Sequence, residues 1–280
     1  MSKVSVLITV YKTKLEYLKE AIDSILNQSF EDFELVILDD CPNDSREDFI
    51  RKYSDNRIRY YKNKENLGIS ETRNKLLSLA NGEYIAIFDH DDISMSNRLQ
   101  LQVDYLDTHP FVGVVSGQIQ IIPKETISKF PLHNDEIKMH LTNENCVPHT
   151  AMMIRASVLR ENHIQYERQF SPCEDYMLCL RLINCTMFHN LSEVLVRYRD
   201  VSGNTTDLQK EKMRDTSALC KCYADSKFPY LFNRFKSYQE EICWIRIFMF
   251  IPFMRVVKKR FVNNYYLFGV IPILSISHIS

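Results

Sequence analysis

Residues 83–92 read Glu83-Tyr84-Ile85-Ala86-Ile87-Phe88-Asp89-His90-Asp91-Asp92, a run without charge after its first residue that stops at three carboxylates. The apolar part has the length of a strand buried on both faces, so the acids stand at its mouth. Carboxylates held together at a strand terminus are costly unless positive charge neutralises them. The usual neutraliser is a hard divalent cation, Mg²⁺ or Mn²⁺, which keeps coordination positions open for phosphate oxygens. An Asp-x-Asp at the carboxyl end of a strand in an α/β sheet therefore points to a nucleotide or another diphosphate as ligand. The plain alternative is a solvated acidic turn that caps the next helix.

On the N-terminal side of this stretch, strands and helices alternate. Residues 4–10 (Val-Ser-Val-Leu-Ile-Thr-Val) form a buried strand by composition. Thr13 and Glu16 are spaced as a capping box, and Leu15, Leu18, Ala21, Ile22, Ile25 and Leu26 recur on one helical face. Phe33 to Leu38 is a second strand ending at Asp39-Asp40. A short helix near 45–53 and a strand from Arg57 to Tyr61 follow. After Asn66-Leu67-Gly68, Ser70 is placed to cap a helix that runs to Ala80 and stops at Asn81-Gly82. Such alternation implies a Rossmann-like, mostly parallel central sheet flanked by helices, an α/β fold with right-handed crossovers.

Beyond Pro110 the pattern loosens into shorter strands near 112–116, 118–122 and 147–154. A helix opens at Glu174-Asp175 and reaches about Asn184, a strand covers Val194 to Arg199, and the rest is helical in character. The chain thus divides into a half that carries the acidic strand ends (1–110), a half of the same domain that is expected to shape a second site (111–206), and a helical C-terminal extension (207–280).

The bulk properties exclude several classes. With 280 residues and 45% hydrophobic content the chain can build a sizeable core. A formal net charge of −1 lacks the basic excess of a nucleic-acid binder, so no nucleic-acid partner is expected. The start Met1-Ser2-Lys3-Val4 goes straight into a strand without a signal-peptide pattern, so a cytoplasmic protein is expected. Eight scattered cysteines form no CxxC pair and read as free thiols. A response-regulator receiver would carry its acid pair after the first strand. A nucleotidylyltransferase or a Rossmann dehydrogenase would need a glycine-rich loop where Thr9-Val10-Tyr11-Lys12-Thr13 has none.

Several motifs in fixed order carry a resemblance. They are Val4 to Tyr11, Ser24-Ile25-Leu26-Asn27-Gln28-Ser29, Val36-Ile37-Leu38-Asp39-Asp40, Asn66-Leu67-Gly68 with Thr72-Arg73-Asn74, Gly82-Glu83-Tyr84-Ile85 into Asp89-His90-Asp91-Asp92, Glu174-Asp175, and Tyr198-Arg199. Over roughly residues 3–200 the chain resembles the family 2 inverting glycosyltransferases with the GT-A fold, and among them bacterial enzymes of polysaccharide synthesis that use UDP-sugars. The resemblance implies that Thr9, Tyr11 and Asp39 hold the nucleotide base, with Asp39 accepting from a uracil imide N–H. Arg73 would face the base or diphosphate. Asp89, His90 and Asp91 would line the donor site, with Asp91 on the Mn²⁺ or Mg²⁺ directly and Asp89 on the metal or ribose. Asp175 would be the general base, supported by Glu174. Its place in the first turn of a helix should favour the ionised form.

The implied partners are a UDP-sugar donor and a glycan or lipid-linked glycan acceptor, joined by a single displacement with inversion. The competing reading is a non-catalytic nucleotide-sugar-binding module. Some positions depart from the family pattern: Val10 and Lys12 flank Tyr11, Cys41-Pro42 follow the acid pair, and Asp200-Val201-Ser202 follow Arg199 without a histidine. His149, after Pro148, reads as a packed or turn histidine, or else as a contact to the acceptor. From Arg234 onward, basic residues (Arg246, Arg255, Lys258, Lys259, Arg260) alternate with aromatics (Trp244, Phe248, Phe250, Phe253, Phe261). Such a segment suits peripheral contact with the inner face of an anionic membrane, or else a lid or dimer contact.

Overall fold

The computed structural model describes residues 2–200 and 209–250 and the backbone segments 254–259, 262–267 and 271–277. Side chains are described as far as residue 239. The chain separates into two compact units, Met1–Phe232 and Asn233–Ser280.

In the first unit, β1 (Val4–Val10), β2 (Phe33–Asp39), β3 (Ile58–Lys62) and β4 (Tyr84–Asp89) lie parallel in the order β3-β2-β1-β4. α1 (Leu15–Leu26), the short α2 (Glu47–Ile50) and α3 (Ile69–Leu79) make the crossovers. Both faces of this sheet are covered, which is why its strands read as continuous apolar runs rather than as alternating ones. Val4, Val6 and Ile8 of β1 pack with Leu18, Ile22 and Ile25 of α1 on one face. Leu7, Ile85 and Ile87 pack with Leu76 of α3 on the other.

Beyond β4 the sheet becomes mixed. It continues β4-β8-β6-β9-β5, with β5 (Ile93–Ser94), β6 (Val112–Ile122), β8 (Met153–Arg155) and β9 (Met187–Arg199). β7 (Thr126–Ile127) pairs with β6. β8 runs antiparallel to both β4 and β6, and β9 runs parallel to β6. The two short strands expected at 112–116 and 118–122 are one strand, because Gly117 causes only a shift of register against β9. β9 begins earlier than expected, at Met187. The segment expected as a strand over 147–154 is instead a 3₁₀ turn, His149–Ala151, leading into the brief β8.

Two helix starts differ from expectation. α1 has Lys14 at its N-cap without a side-chain cap, and Thr13 Oγ1 is buried without a partner. α3 is preceded by Gly68 at φ 81°, a left-handed conformation that glycine adopts without strain, and Ser70 lies inside the first turn. The cap is supplied from a distance: Asp40 accepts from the backbone N–H of Leu67 and Gly68 and from the Asn63 amide.

Downstream lie α4 (Arg98–Thr108), α5 (Asn134–His140), α6 (Ala156–Glu161) and α7 (Glu174–Leu182). The helix Lys210–Lys227 buries Cys220 and Ala224 in the same core as Tyr176 and Cys179 of α7, so it belongs to the first unit. A helix at Pro229–Phe250 and a three-stranded antiparallel sheet over 254–277 follow, where a helical tail was expected throughout. The basic and aromatic side chains expected to meet a membrane, Trp244 to Phe261, lie outside the described residues. Among the described residues no helix is long and apolar enough to cross a membrane. The seven described cysteines are all free, as expected.

Candidate active site

Parallel register places the site. Val10 of β1 pairs with Asp39 of β2, and Thr9 pairs with Asp89 of β4, so the acid-bearing ends of two strands flank the end of β1. This is the carboxyl edge of the sheet, where open α/β folds bind ligands. A small cleft opens there, lined among others by Thr9, Arg73, Phe88, Asp89 and Tyr166.

Arg73 is the centre of the arrangement. Carried by α3, its guanidinium donates to Glu174 Oε1 at 2.5 Å and to Asp89 Oδ1 at 3.3 Å, and it lies 5.6 Å from the centre of the Tyr166 ring. One cation thus ties the mouth of β4 to the first turn of α7, where Asp175 follows Glu174. The expectation that Arg73 faces a nucleotide leaves out these two carboxylates, which already share it. Tyr166 is held in turn by a two-way amide clamp. Asn74 donates to the Tyr166 carbonyl at 2.9 Å and accepts from its N–H at 2.8 Å. The Tyr166 hydroxyl meets His149 Nε2 at 2.8 Å, so His149 is the packed histidine anticipated.

Asp175 departs from its expectation. Its Oδ1 does accept the Tyr176 N–H at 2.7 Å, as a residue in a first turn should. Burial and the neighbouring Glu174 charge outweigh that bond and the Arg73 charge, so the carboxyl is pushed up to about 6. Asn145 Nδ2 also donates to Asp175 Oδ2 at 3.2 Å.

At the acidic tetrad, Asp89 and Asp91 keep 30% and 28% of their side chains exposed, enough to offer oxygen to a ligand. Burial and the Asp89 charge raise the Asp91 carboxyl, and Asp92, almost enclosed, is raised further by burial and by both neighbours. Asp92 Oδ1 accepts the Arg199 N–H at 2.8 Å, and the Asp91 carbonyl accepts from Arg199 Nε at 2.7 Å, so the end of β9 is latched onto the tetrad. Behind it lies Arg98, fully buried and bonded to the Ile87 carbonyl at 2.8 Å. His90 Nδ1 stands 3.6 Å from Asp91 Oδ1, beyond hydrogen-bond reach, and no ligand role follows from its position.

Among the described residues no set of three or more His, Cys, Asp or Glu forms a ready cage for a metal. Two partly exposed carboxylates two residues apart are nonetheless the donor set of a hard cation that takes its remaining oxygens from phosphate and water, so Asp89 and Asp91 fit Mg²⁺ or Mn²⁺.

The residues expected at the base are less uniform. Thr9 lines the cleft, and Tyr11 is 46% exposed beyond the end of β1, with the Lys12 ammonium 5.2 Å from its ring centre. Asp39 is different. It is fully buried, and its oxygens accept from the Cys41 and Arg46 N–H groups at 2.9 and 2.6 Å and from the Tyr60 hydroxyl at 3.1 Å. It braces the 40–46 loop, and reaching an imide N–H would require that loop to shift. Asn74, Asn145, Thr150 (whose Oγ1 accepts the Asp89 N–H at 3.3 Å), Tyr166 and Arg199 went unassigned in the sequence. Only Asn74 and Arg199 stood inside a recognisable motif; the others come together through contacts distant in the chain.

Comparison with known proteins bears on the family and the fold. Residues 5–162 match the family described as glycosyl transferase family 2. The chain is 33% identical over 205 residues to the uncharacterized glycosyltransferase MJ1057 of Methanocaldococcus jannaschii, covering 70% of each chain. It is 33% identical over 211 residues to the O-antigen biosynthesis glycosyltransferase WbnJ of Escherichia coli, covering 71% of this chain and 80% of that one. Among solved structures, S. aureus TarS 1-349 in complex with UDP-GlcNAc matches with a TM-score of 0.67 at 20% identity, over 84% of this chain and 73% of that one. The mannosyltransferase PcManGT of Pyrobaculum calidifontis, in complex with GDP-Man and Mn²⁺, matches with a TM-score of 0.60 at 15% identity over the same shares. The shared architecture is the GT-A fold.

Proposed function

The chain belongs to glycosyl transferase family 2, and on that premise we propose that it moves a sugar from a UDP-sugar to a hydroxyl of a glycan or lipid-linked glycan, with inversion at the anomeric carbon. The observation that carries this reading is the double contact of Arg73. It draws Asp89, at the donor edge, and Glu174, beside the base candidate Asp175, around one cleft.

Each side chain has a task in this reading. Thr9 and the exposed face of Tyr11 border the nucleoside, and Asp39 reaches the base once the 40–46 loop shifts. Asp89 and Asp91 would hold a divalent cation, which when bound supplies Lewis-acid neutralisation of the charge left on the departing diphosphate. Arg73 holds Asp89 and Glu174 in register with each other. Asp175 takes the proton of the acceptor hydroxyl as that oxygen attacks. A carboxyl raised to about 6 suits this work better than an ordinary aspartate, because it is ionised at neutral pH yet basic enough to accept a proton. Asn74 and His149 keep Tyr166 against the cleft, and its ring closes one wall.

The homologue WbnJ, an O-antigen biosynthesis enzyme by name, supports a glycan acceptor, and the TarS complex with UDP-GlcNAc supports a UDP-sugar donor. Thermal-shift titration with UDP-sugars, with and without Mn²⁺, is expected to raise the melting temperature of wild type and of Asp175→Asn alike. Transfer, read as UDP release with a glycan acceptor, is expected to fall by about 10²–10⁴-fold in the variant. Metal-dependent binding without any transfer in wild type would favour a non-catalytic binding module. Undiminished transfer in Asp175→Asn would remove the base assignment.

A further inference from the structure

We propose that Asn145 is a positioning residue for Asp175, orienting its carboxylate and setting the pH at which it can accept a proton; this rests on the reading of Asp175 as the base. Asn145 lies between α5 and the 3₁₀ turn His149–Ala151. The Val147 N–H donates to Asn145 Oδ1 at 3.2 Å, which fixes which end of the amide is oxygen and turns the NH₂ towards Asp175 Oδ2, 3.2 Å away. The other carboxylate oxygen accepts the Tyr176 N–H at 2.7 Å. Asp175 is therefore held by two donors from two segments of chain, one on its own helix and one from the segment between α5 and the 3₁₀ turn. The same two segments are joined again where the Tyr176 hydroxyl donates to the Leu141 carbonyl at 2.7 Å. The 141–147 segment and the start of α7 thus form one support for the carboxylate.

The charged and titratable groups facing Asp175 are Glu174 and Cys179 from α7, Cys173 just before it, Arg73 from α3, Asp89 from β4, Tyr166, and Cys220 from the helix Lys210–Lys227. Asn145 differs from these in being a neutral donor aimed at the carboxylate itself. Its bond favours the ionised form and opposes Glu174, and it can be removed without changing the net charge of the site.

The test is a ¹³C-carboxyl titration of aspartate-labelled full-length protein over roughly pH 4 to 8, with Asp175 assigned as the resonance missing from Asp175→Asn. In Asn145→Ala the Asp175 midpoint is expected to rise by about half a pH unit or more, and in Asn145→Asp, which sets a like charge beside it, by more still. Asn145→Asp keeps the size of the side chain and carries the test if Asn145→Ala does not fold. Midpoints within about 0.2 of wild type in both variants would overturn the proposal, because a residue that only braces the loop lowers the melting temperature without moving the titration. The two readings fail separately. Wild-type transfer by Asp175→Asn removes the base assignment while a shifted midpoint leaves the Asn145 contact standing, and unmoved midpoints beside an inactive Asp175→Asn do the reverse.

Discussion

Asp175 has a folded-state carboxyl at about 6, against about 3.9 for an aspartate in an unfolded chain. The folded state therefore holds its proton to higher pH than the unfolded state does. Below about pH 4 both forms are protonated and nothing is lost; stability falls as pH rises towards 6, and above that the ionised group costs its full penalty. That penalty is roughly 1–3 kcal/mol, since the carboxyl keeps some contact with solvent. Asp175→Asn is accordingly expected to be more resistant to urea than wild type at pH 8 by about that amount, with little difference near pH 4. Equal stability of the two proteins at pH 8 would mean that the carboxylate is not strained by its surroundings. Part of this residue was legible in the sequence and part was not. Its place after Glu174 at the start of a helix could be read directly, but the sequence suggested an acid eased by the helix terminus. What reverses the sign is burial by segments distant in the chain, a tertiary effect, added to the charge of the adjacent Glu174.

At the scale of elements, the first four strands and their helices were legible because burial on both faces demands long apolar runs, and such runs are hard to mistake. Boundaries moved by a residue or two where the cap came from elsewhere, as at α3, whose start is held by Asp40 rather than by Ser70. Asp40 is buried and gathers the Asn63 amide and the Leu67 and Gly68 N–H groups. Asp40→Ala would leave these donors without an acceptor. The expected cost is about 2–5 kcal/mol in urea unfolding, together with weaker binding of the proposed UDP-sugar donor, because α3 delivers Arg73 to the site. A loss below about 0.5 kcal/mol would show that water replaces the carboxylate. The second half was less legible. Brief β8, the 3₁₀ turn before it and the early start of β9 depend on pairing partners far along the chain, and short mixed strands carry little periodicity of their own.

Across the whole molecule, one sheet joins two kinds of construction: a parallel half that sets the acid-bearing strand ends side by side, and a mixed half that wraps Arg199 and the 141–147 segment around them. The parallel half has almost no tolerance in register. One alanine inserted after Ile8 would offset Thr9 from Asp89 and turn the rest of β1 to the opposite face, so insoluble or unfolded protein is expected on expression. The same insertion between Lys124 and Glu125, in the exposed turn joining β6 to β7, should leave the melting temperature within a few degrees of wild type. A soluble, cooperatively melting product from the first insertion would refute the rigid register. The pairing of Thr9 with Asp89 and of Val10 with Asp39 thus works like the fixed jaw of a vice: any change of taste for a different sugar or a different recipient has to be made in the surrounding connections, because the jaw cannot slide by a single notch and still close.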